Sequence, residues 1–201
     1  MPSIILHEVS HGWAALSFGD DTAKRAGRLT LNPIAHIDPF GTILLPLLMS
    51  AIGFGVFGYA KPVPVNPRRM RDPRNQSLYT SLAGPAMNLA IALLAAVVLR
   101  VLRPDGFSFR SLDGFLEEPL YLQIVVYVGL VNVLLAVFNL IPLPPLDGSA
   151  VIERFLPHRY WRPYLQLRRY SMFVLIGVLV LAPRAFSGVL SWAIRQWAKL
   201  L

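Results

Sequence analysis

The chain contains no cysteine, so disulfide bonds and thiolate metal sites are both excluded. Charge is also scarce: Asp, Glu, Lys and Arg make up 15% of the 201 residues and hydrophobic residues 55%, which is too apolar for an ordinary soluble domain. Acidic residues are fewer than basic residues, at 11 against 19. The basic residues lie in short connections between apolar runs, a pattern that favours contact with anionic lipid headgroups and argues against a nucleic-acid partner.

A cleavable signal peptide is not indicated, because no basic segment precedes the first apolar stretch. Several long uncharged runs can each cross a bilayer. The sequence therefore predicts an all-α polytopic membrane protein with about five transmembrane helices and a short β or extended membrane-associated segment. We expect one domain over residues 1–201, with a core at 4–155 and a C-terminal helical segment at 165–201.

The predicted spans cover about residues 4–18, 40–57, 78–102 and 120–141, followed by a last apolar stretch at 170–182. Pro183 interrupts that stretch, so residues 187–201 either lie along the membrane interface or complete the span. The first span is about 22 Å long at roughly 1.5 Å per residue, short of the roughly 30 Å hydrocarbon core. We therefore expect the first helix to be longer at its N-terminal end. Either the chain has lost part of that helix, or the start of the chain is recorded too late.

The most informative stretch is His7-Glu8-Val9-Ser10-His11, which fits the H-E-x-x-H pattern of zinc-dependent hydrolases. If the stretch is helical, four residues turn the chain by about 400°, and both imidazoles share one face. Two ligands of a tetrahedral zinc ion are then in place. Glu8 projects beside the metal, where a carboxylate can take a proton from zinc-bound water, so we interpret it as the base and not as a ligand.

A catalytic zinc site needs a third protein ligand, and the strongest candidate is Asp147. It follows a long apolar run that stops at three prolines within four residues, Pro142, Pro144 and Pro145. Prolines forbid a continuing helix, so Asp147 is held on stiff, irregular backbone. Within a membrane, irregular backbone occurs only where protein or a water-filled cavity surrounds it. His7, His11 and Asp147, with water in the fourth position, fit a site for one zinc ion per chain.

Four sequence blocks in this order carry a family resemblance: HEVSH at 7–11, NPIAHIDPFG at 32–41, AGPAMN at 83–88 and FNLIPLPPLDG at 138–148. Together they resemble the site-2 protease family of intramembrane zinc metallopeptidases, in its short form without an appended domain, over about residues 4–155. The resemblance implies a zinc metalloendopeptidase that cuts within or next to membrane spans. It also implies regulatory membrane proteins such as anti-sigma factors as substrates, often trimmed first by another protease.

Two asparagines in the apolar spans are further candidates. Asn139 lies eight residues before Asp147; its amide either caps the helix end or donates a hydrogen bond to the substrate carbonyl oxygen as negative charge develops, and the resemblance supports the second role. Asn88 is polar inside an apolar span, so it either joins helices by hydrogen bonding or contributes to substrate binding.

The connections between the spans offer weaker signals. His36 is interpreted as structural and hydrogen-bonded to nearby backbone, and a direct metal role makes it the first alternative to Asp147. Residues 28–31 alternate in polarity, which predicts a short strand. Residues 59–66 contain two prolines two apart and are therefore extended; they either pair with an unwound substrate by β-augmentation or form a stiff connector.

The topology of the spans tests the site. If the four main spans alternate, His7, His11 and Asp147 share one face of the membrane. Basic residues close to span ends place that face in the cytoplasm, and we expect a bacterial cell membrane. Ten of the basic residues lie on this face: Lys61, Arg68, Arg69, Arg71, Arg74, Arg154, Arg159, Arg162, Arg168 and Arg169.

Two other functions stay open beside proteolysis. One is a non-enzymatic membrane scaffold or transporter component in which the polar residues join helices. The other is an inactive metal-binding homologue with a shortened N-terminus. Glu8 argues against the scaffold, because a structural zinc site has no need of a base.

Overall fold

The computed structural model describes residues 1–38, 61–103 and 116–201, together with Leu44 and Leu47. The predicted second span, at 40–57, lies outside these ranges. The described residues are mostly helical and contain no β-strand. The chain forms two compact units, residues 1–84 and residues 85–201.

Helix α1, Pro2–Ser17, starts with a proline in its first turn, where the missing N–H removes no helical hydrogen bond. It ends in a glycine-capped turn, since Gly19 has the left-handed value φ +102°. Gly19 N–H donates to Leu16 O at 3.0 Å, and Asp20 N–H donates to Ala15 O at 2.9 Å. These are the two bonds of a Schellman motif. The predicted first span is therefore helical, and its cap fixes the backbone of Asp20.

The strand predicted at residues 28–31 is wrong, because residues 29 and 30 form a bend and residues 28 and 31 have no regular secondary structure. The Arg28 guanidinium donates to Ala35 O, and His36 Nε2 lies 2.8 Å from Thr30 O. Both contacts fold the segment onto the following turn, so its backbone is not held in an extended form beside another strand. The remaining short elements of the first unit are α2, Thr22–Arg25, and the 3-10 turns Pro33–His36 and Pro67–Arg69.

Two described helices are long and apolar enough to cross a membrane: α3, Pro73–Leu102, and α4, Leu120–Asn139. They agree with the predicted third and fourth spans. Helix α3 begins five residues earlier than predicted, where Asp72 caps it by accepting the Asn75 N–H at 3.3 Å. About five transmembrane helices are predicted, and the structure supports two of them by length and composition.

The second unit is completed by helices that follow α4. The predicted break at Pro183 is confirmed, because one helix ends at Leu181 and the next begins at Pro183. These helices are α5, Ser149–Phe155, α6, Trp161–Arg169, α7, Ser171–Leu181, and α8, Pro183–Ala198, with a 3-10 turn at His158–Tyr160.

The core of residues 85–201 combines small side chains of α3 with larger ones from α4 and α8. Trp197 of α8 is buried, and its indole N–H donates to Ala92 O at 2.8 Å. Gly129 makes room for the indole, since a Cβ there would lie 2.9 Å from Trp197 Cε2. Helix α8 is therefore fixed by packing and one buried hydrogen bond. The cluster comprises Ala92, Ala95, Ala96, Leu99, Leu122, Val126, Val133, Ala193, Trp197 and Leu201.

Candidate metal centre

His7 and His11 lie one turn apart on α1, and both side chains are buried, at 6% and 8% exposure. Their Nε2 atoms are 3.0 Å apart, and the rings are almost perpendicular, at 86° with centroids 4.7 Å apart. Two nitrogens bound to one tetrahedral zinc ion at roughly 2.0–2.1 Å lie about 3.4 Å from each other. The pair therefore presents two nitrogens at a spacing close to the one that a shared ion imposes.

The backbone of α3 fixes the tautomer of His11. His11 Nδ1 lies 2.7 Å from Thr80 O, and a carbonyl oxygen can only accept, so Nδ1 carries the hydrogen. A neutral imidazole protonated at Nδ1 has its lone pair on Nε2. A carbonyl partner of this kind also orients the ring and raises the basicity of the ligating nitrogen. Thr80 contributes its backbone carbonyl, so its side-chain type could not identify it as a partner of His11 in the sequence.

Gly84 lets the backbone of α3 pack closely against the two imidazoles. A Cβ at residue 84 would lie 2.6 Å from Cε1 of both His7 and His11 and would also contact His11 Nε2. These distances are far inside van der Waals contact, so the backbone can approach the rings only because residue 84 has no side chain. Two nitrogen donors and a fixed tautomer fit a zinc ion. The small-residue run Ala83-Gly84 was the signal for this close approach.

Glu8 is held by a backbone N–H. Val63 N–H donates to Glu8 Oε2 at 2.8 Å, while the Glu8 side chain stays partly exposed. Val63 belongs to residues 61–66, which form neither helix nor strand, as the prolines on each side of Val63 require. The carboxylate therefore has both a fixed direction and solvent access, as a base needs. Pairing of this segment with a substrate stays a prediction.

A second carboxylate, Asp20, is fully buried just beyond α1. It accepts hydrogen bonds from the N–H and the hydroxyl of Thr22 and, at 2.6 Å, from Asn66 N–H. Burial by itself raises the pKa of this carboxyl, but the donors and the charge of Arg69 outweigh burial and hold the pKa of Asp20 below its usual value. The sequence reasoning missed Asp20; the only signal was the acidic pair Asp20-Asp21 directly after an apolar helix.

Asp147 lies in a closed loop between α4 and α5. Gly148 N–H donates to Asn139 O at 2.7 Å, which joins the two ends of the loop. A Cβ on Gly148 would lie 2.5 Å from Ile141 O, so the loop closes only around a glycine. The carbonyl of Asp147 accepts Ala150 N–H at 3.0 Å in the first turn of α5. Within residues 85–201, the backbone that carries the predicted third ligand is therefore fixed.

The two candidate asparagines both hydrogen-bond within the second unit. Asn139 Nδ2 donates to Leu135 O at 2.9 Å, four residues back on α4, and the capping alternative stays a prediction. Asn88 is fully buried and donates to Asn132 Oδ1 at 2.7 Å, and Asn132 donates to Val128 O at 2.8 Å. Asn88 therefore joins helices, as its structural alternative predicts. The catalytic role of Asn139 and the substrate-binding role of Asn88 stay predictions.

His36, the alternative metal ligand, is 2% exposed. Its contact with Thr30 O is the bond to nearby backbone that the structural interpretation predicts. A metal role for His36 stays a prediction.

The model of peptidase family M50 matches residues 1–120 and 113–182 of this chain. A Bacillus subtilis protein named "Putative zinc metalloprotease YwhC" is 39% identical over 89% of this chain and 76% of its own length. Two proteins named "Putative zinc metalloprotease Rip2", from Mycolicibacterium smegmatis and Mycobacterium tuberculosis strain H37Rv, are 29% and 33% identical over 94% of this chain and 69% of theirs. No solved structure matches the chain significantly.

Proposed function

The chain belongs to peptidase family M50, the site-2 type of zinc metalloprotease, and from that premise we propose that it is an intramembrane zinc endopeptidase. It hydrolyses peptide bonds within or next to the transmembrane segments of other membrane proteins. The observation that carries the proposal is a buried histidine pair with a carboxylate beside it. His7 and His11 present Nε2 atoms 3.0 Å apart, and Glu8 is held by a backbone N–H.

His7, His11 and Asp147 hold one zinc ion per chain in this proposal. Imidazole nitrogen and carboxylate oxygen are the ligands of many catalytic zinc sites, which use three protein ligands and keep one position open. The bond from His11 Nδ1 to Thr80 O supports the assignment, because it leaves Nε2 as the ligating atom. When bound, zinc polarises the substrate carbonyl and lowers the pKa of a water molecule to near neutrality.

Glu8 is the general base and then the general acid. Its carboxylate takes a proton from the attacking water and returns it to the leaving amine nitrogen. The helical order of the motif supports this role, since Glu8 follows His7 directly and its carboxylate is held by Val63 and not by a histidine.

Asn139 stabilises the transition state by donating a hydrogen bond to the carbonyl oxygen as that atom gains negative charge. An asparagine amide nitrogen carries two hydrogens. The bond to Leu135 O uses one of them, and the other is the donor to the substrate. The same residue can therefore support the end of α4 and take part in the reaction.

We place this enzyme in a bacterial cell membrane as a multi-pass protein whose active site faces the cytoplasm. Helices α3 and α4 support a membrane location, because both are long and apolar enough to cross. Leu94, Val97 and Val101 on α3 are 63%, 60% and 72% exposed, which suits a surface against lipid. The proposed substrates are regulatory membrane proteins, anti-sigma factors among them.

Zinc content and cleavage of a model membrane substrate, measured on one detergent preparation, test the proposal. We expect one zinc ion per chain and cleavage in the parent protein. Glu8→Gln should keep the zinc and lose cleavage by on the order of 10²–10⁴ or more, because the change removes a base and no ligand.

Each other outcome has a distinct meaning. Zinc without cleavage in the parent would identify an inactive metal-binding homologue. A parent with neither would identify a scaffold or transporter component. Loss of zinc from Glu8→Gln would contradict the assignment of Glu8 as the base.

A further inference from the structure

Asp20 anchors a distant part of the first unit. Its own N–H is bonded to Ala15 O at 2.9 Å in the cap of α1, so its position relative to α1 is fixed. One carboxylate oxygen faces both donors of Thr22, and the other accepts Asn66 N–H at 2.6 Å. Asp20 has an exposure of 0%, so solvent does not compete for these bonds. Hydrogen bonds to a buried charge are among the stronger ones in proteins.

The anchored segment carries the N–H that holds Glu8. Val63 lies three residues before Asn66, and its N–H donates to Glu8 Oε2 at 2.8 Å. Pro62 and Pro64 flank Val63, fix their own φ at about −65° and restrict the residue that precedes each of them. The segment is therefore stiff, and a displacement at Asn66 is transmitted to Val63.

Apolar packing also holds Val63 against α1. Val63 is buried, and a Cβ on Gly12 would lie 3.0 Å from Val63 Cγ1, so a glycine permits this approach. Apolar contact is non-directional and does not by itself determine where the segment lies along the helix. The hydrogen bond from Asn66 N–H to Asp20 is directional, so it determines the position of the segment along α1.

We propose that Asp20 is a positioning residue for the base: by holding Asn66 N–H, it sets residues 61–66 along α1 and keeps Val63 N–H on Glu8. The bond to Val63 occupies Oε2 of Glu8 and leaves Oε1 as the oxygen that takes the proton. Asp20 acts through Val63 and not on the substrate. This inference rests on the proposed function, because Glu8 is a base only in a protease.

The test is Asp20→Asn in the full chain reconstituted in lipid nanodiscs. The amide oxygen stays on the two donors of Thr22, which turns the amide NH₂ toward Asn66 N–H and breaks that one bond. We expect residue-resolved hydrogen exchange at Asn66 and Val63 to rise by roughly tenfold or more, as for the loss of a bond to a charged group. Zinc content should equal that of the parent, and kcat should fall by roughly tenfold with KM unchanged.

Asp21→Asn is the matched control. The Asp21 carboxylate is next in the chain and forms surface ion pairs with Arg25 and Arg69, and such pairs contribute little. We expect neither the exchange at Val63 nor kcat to change in this variant.

A rise in exchange at Asn66 without one at Val63 would overturn the proposal, and so would a rise at Val63 with unchanged kcat. If Asp20→Asn melts early and loses zinc, the milder variant Thr22→Val is tested in its place. This change removes the hydroxyl donor to Asp20. A smaller, parallel rise at Asn66 and Val63 is expected there, and no rise would overturn the proposal. Exchange is measured without substrate, so it reports on the link from Asp20 to Val63 even if the parent protein cleaves nothing, which is the outcome that would contradict the protease assignment.

Discussion

The two units of this protein bury different chemistry. Among the residues that the structure describes, every buried ionisable side chain lies in residues 1–84, namely His7, His11, Asp20 and His36. Residues 85–201 bury alanine, leucine and valine around Trp197, with two asparagines bonded to each other. Burial of an ionisable group is unfavourable unless a partner compensates it, whereas helices within a bilayer associate through van der Waals packing and interhelical hydrogen bonds.

Substitutions in the two units are therefore expected to have different effects. A change at His7, His11 or Asp20 in the first unit should alter zinc content or rate. A change in the core of the second unit should alter the free energy of unfolding and leave the folded enzyme as active as before. The end of α4 and the loop that follows it are the exception, because Asn139 and Asp147 belong to the second unit and have proposed roles in the reaction.

The largest effect is expected for the ligands. His11→Ala and Asp147→Ala should each lose zinc and reduce cleavage to background, because each removes one of the three proposed protein ligands. Zinc per chain after gel filtration is the measurement, and His36→Ala, which should keep its zinc, is the control. Should Asp147→Ala bind zinc as tightly as the parent, Asp147 is not the third ligand and His36 becomes the first residue to test.

Asn139→Ala should slow cleavage by on the order of 10²–10³, about 2.7–4 kcal/mol, with little effect on zinc. The physical reason is that its hydrogen bond to the carbonyl oxygen strengthens as charge develops, so kcat falls and KM changes little. Rate, zinc content and melting temperature are measured on one preparation. A variant that melts early and loses zinc in step with activity would instead assign Asn139 to capping α4.

Gly84→Ala tests the close packing of α3 against the two histidines. Its Cβ would meet Cε1 of His7 and His11 at 2.6 Å, so the rings must turn, and we expect zinc affinity to fall by roughly 10- to 100-fold, as when the partners that orient a ligand are lost. Competition with a chelator of known affinity measures this.

The matched controls are Gly177→Ala and Gly188→Ala, where a Cβ meets no atom within 4 Å. Both positions are helical, so alanine should be neutral or slightly stabilising there. Equal zinc affinity in all three variants would mean that the close packing at Gly84 has no influence on the metal.

Local patterns predicted the helices well. The apolar runs placed α1, α3 and α4 within a few residues of their observed ends, and the i, i+4 spacing placed His7 and His11 on one face. Contacts between distant residues were beyond this reasoning. Asp20 accepts from Asn66, 46 residues away, and Glu8 accepts from Val63, 55 residues away.

The wrong strand at residues 28–31 has a different cause, which is local side-chain bonding. Alternating polarity favours a strand only where another strand is available to pair with it. Here the side chains of Arg28 and His36 bind nearby carbonyls instead. A pattern of single residues contains no information on those bonds, which are made once the chain is folded.

The smallest effect on rate is expected for the buried asparagine pair. Asn132→Ala removes the acceptor of Asn88 Nδ2, and Asn88→Ala removes the donor to Asn132 Oδ1, at positions with 0% exposure. Each change should lower the free energy of unfolding by about 1–3 kcal/mol. The double variant should lose less than the sum, because neither polar group is left behind. Denaturant titration in detergent measures these values, and cleavage is compared well below each melting temperature. Normal kcat/KM in both single variants would establish a structural pair, whereas a loss of kcat/KM in Asn88→Ala alone, at equal stability, would show that Asn88 binds substrate.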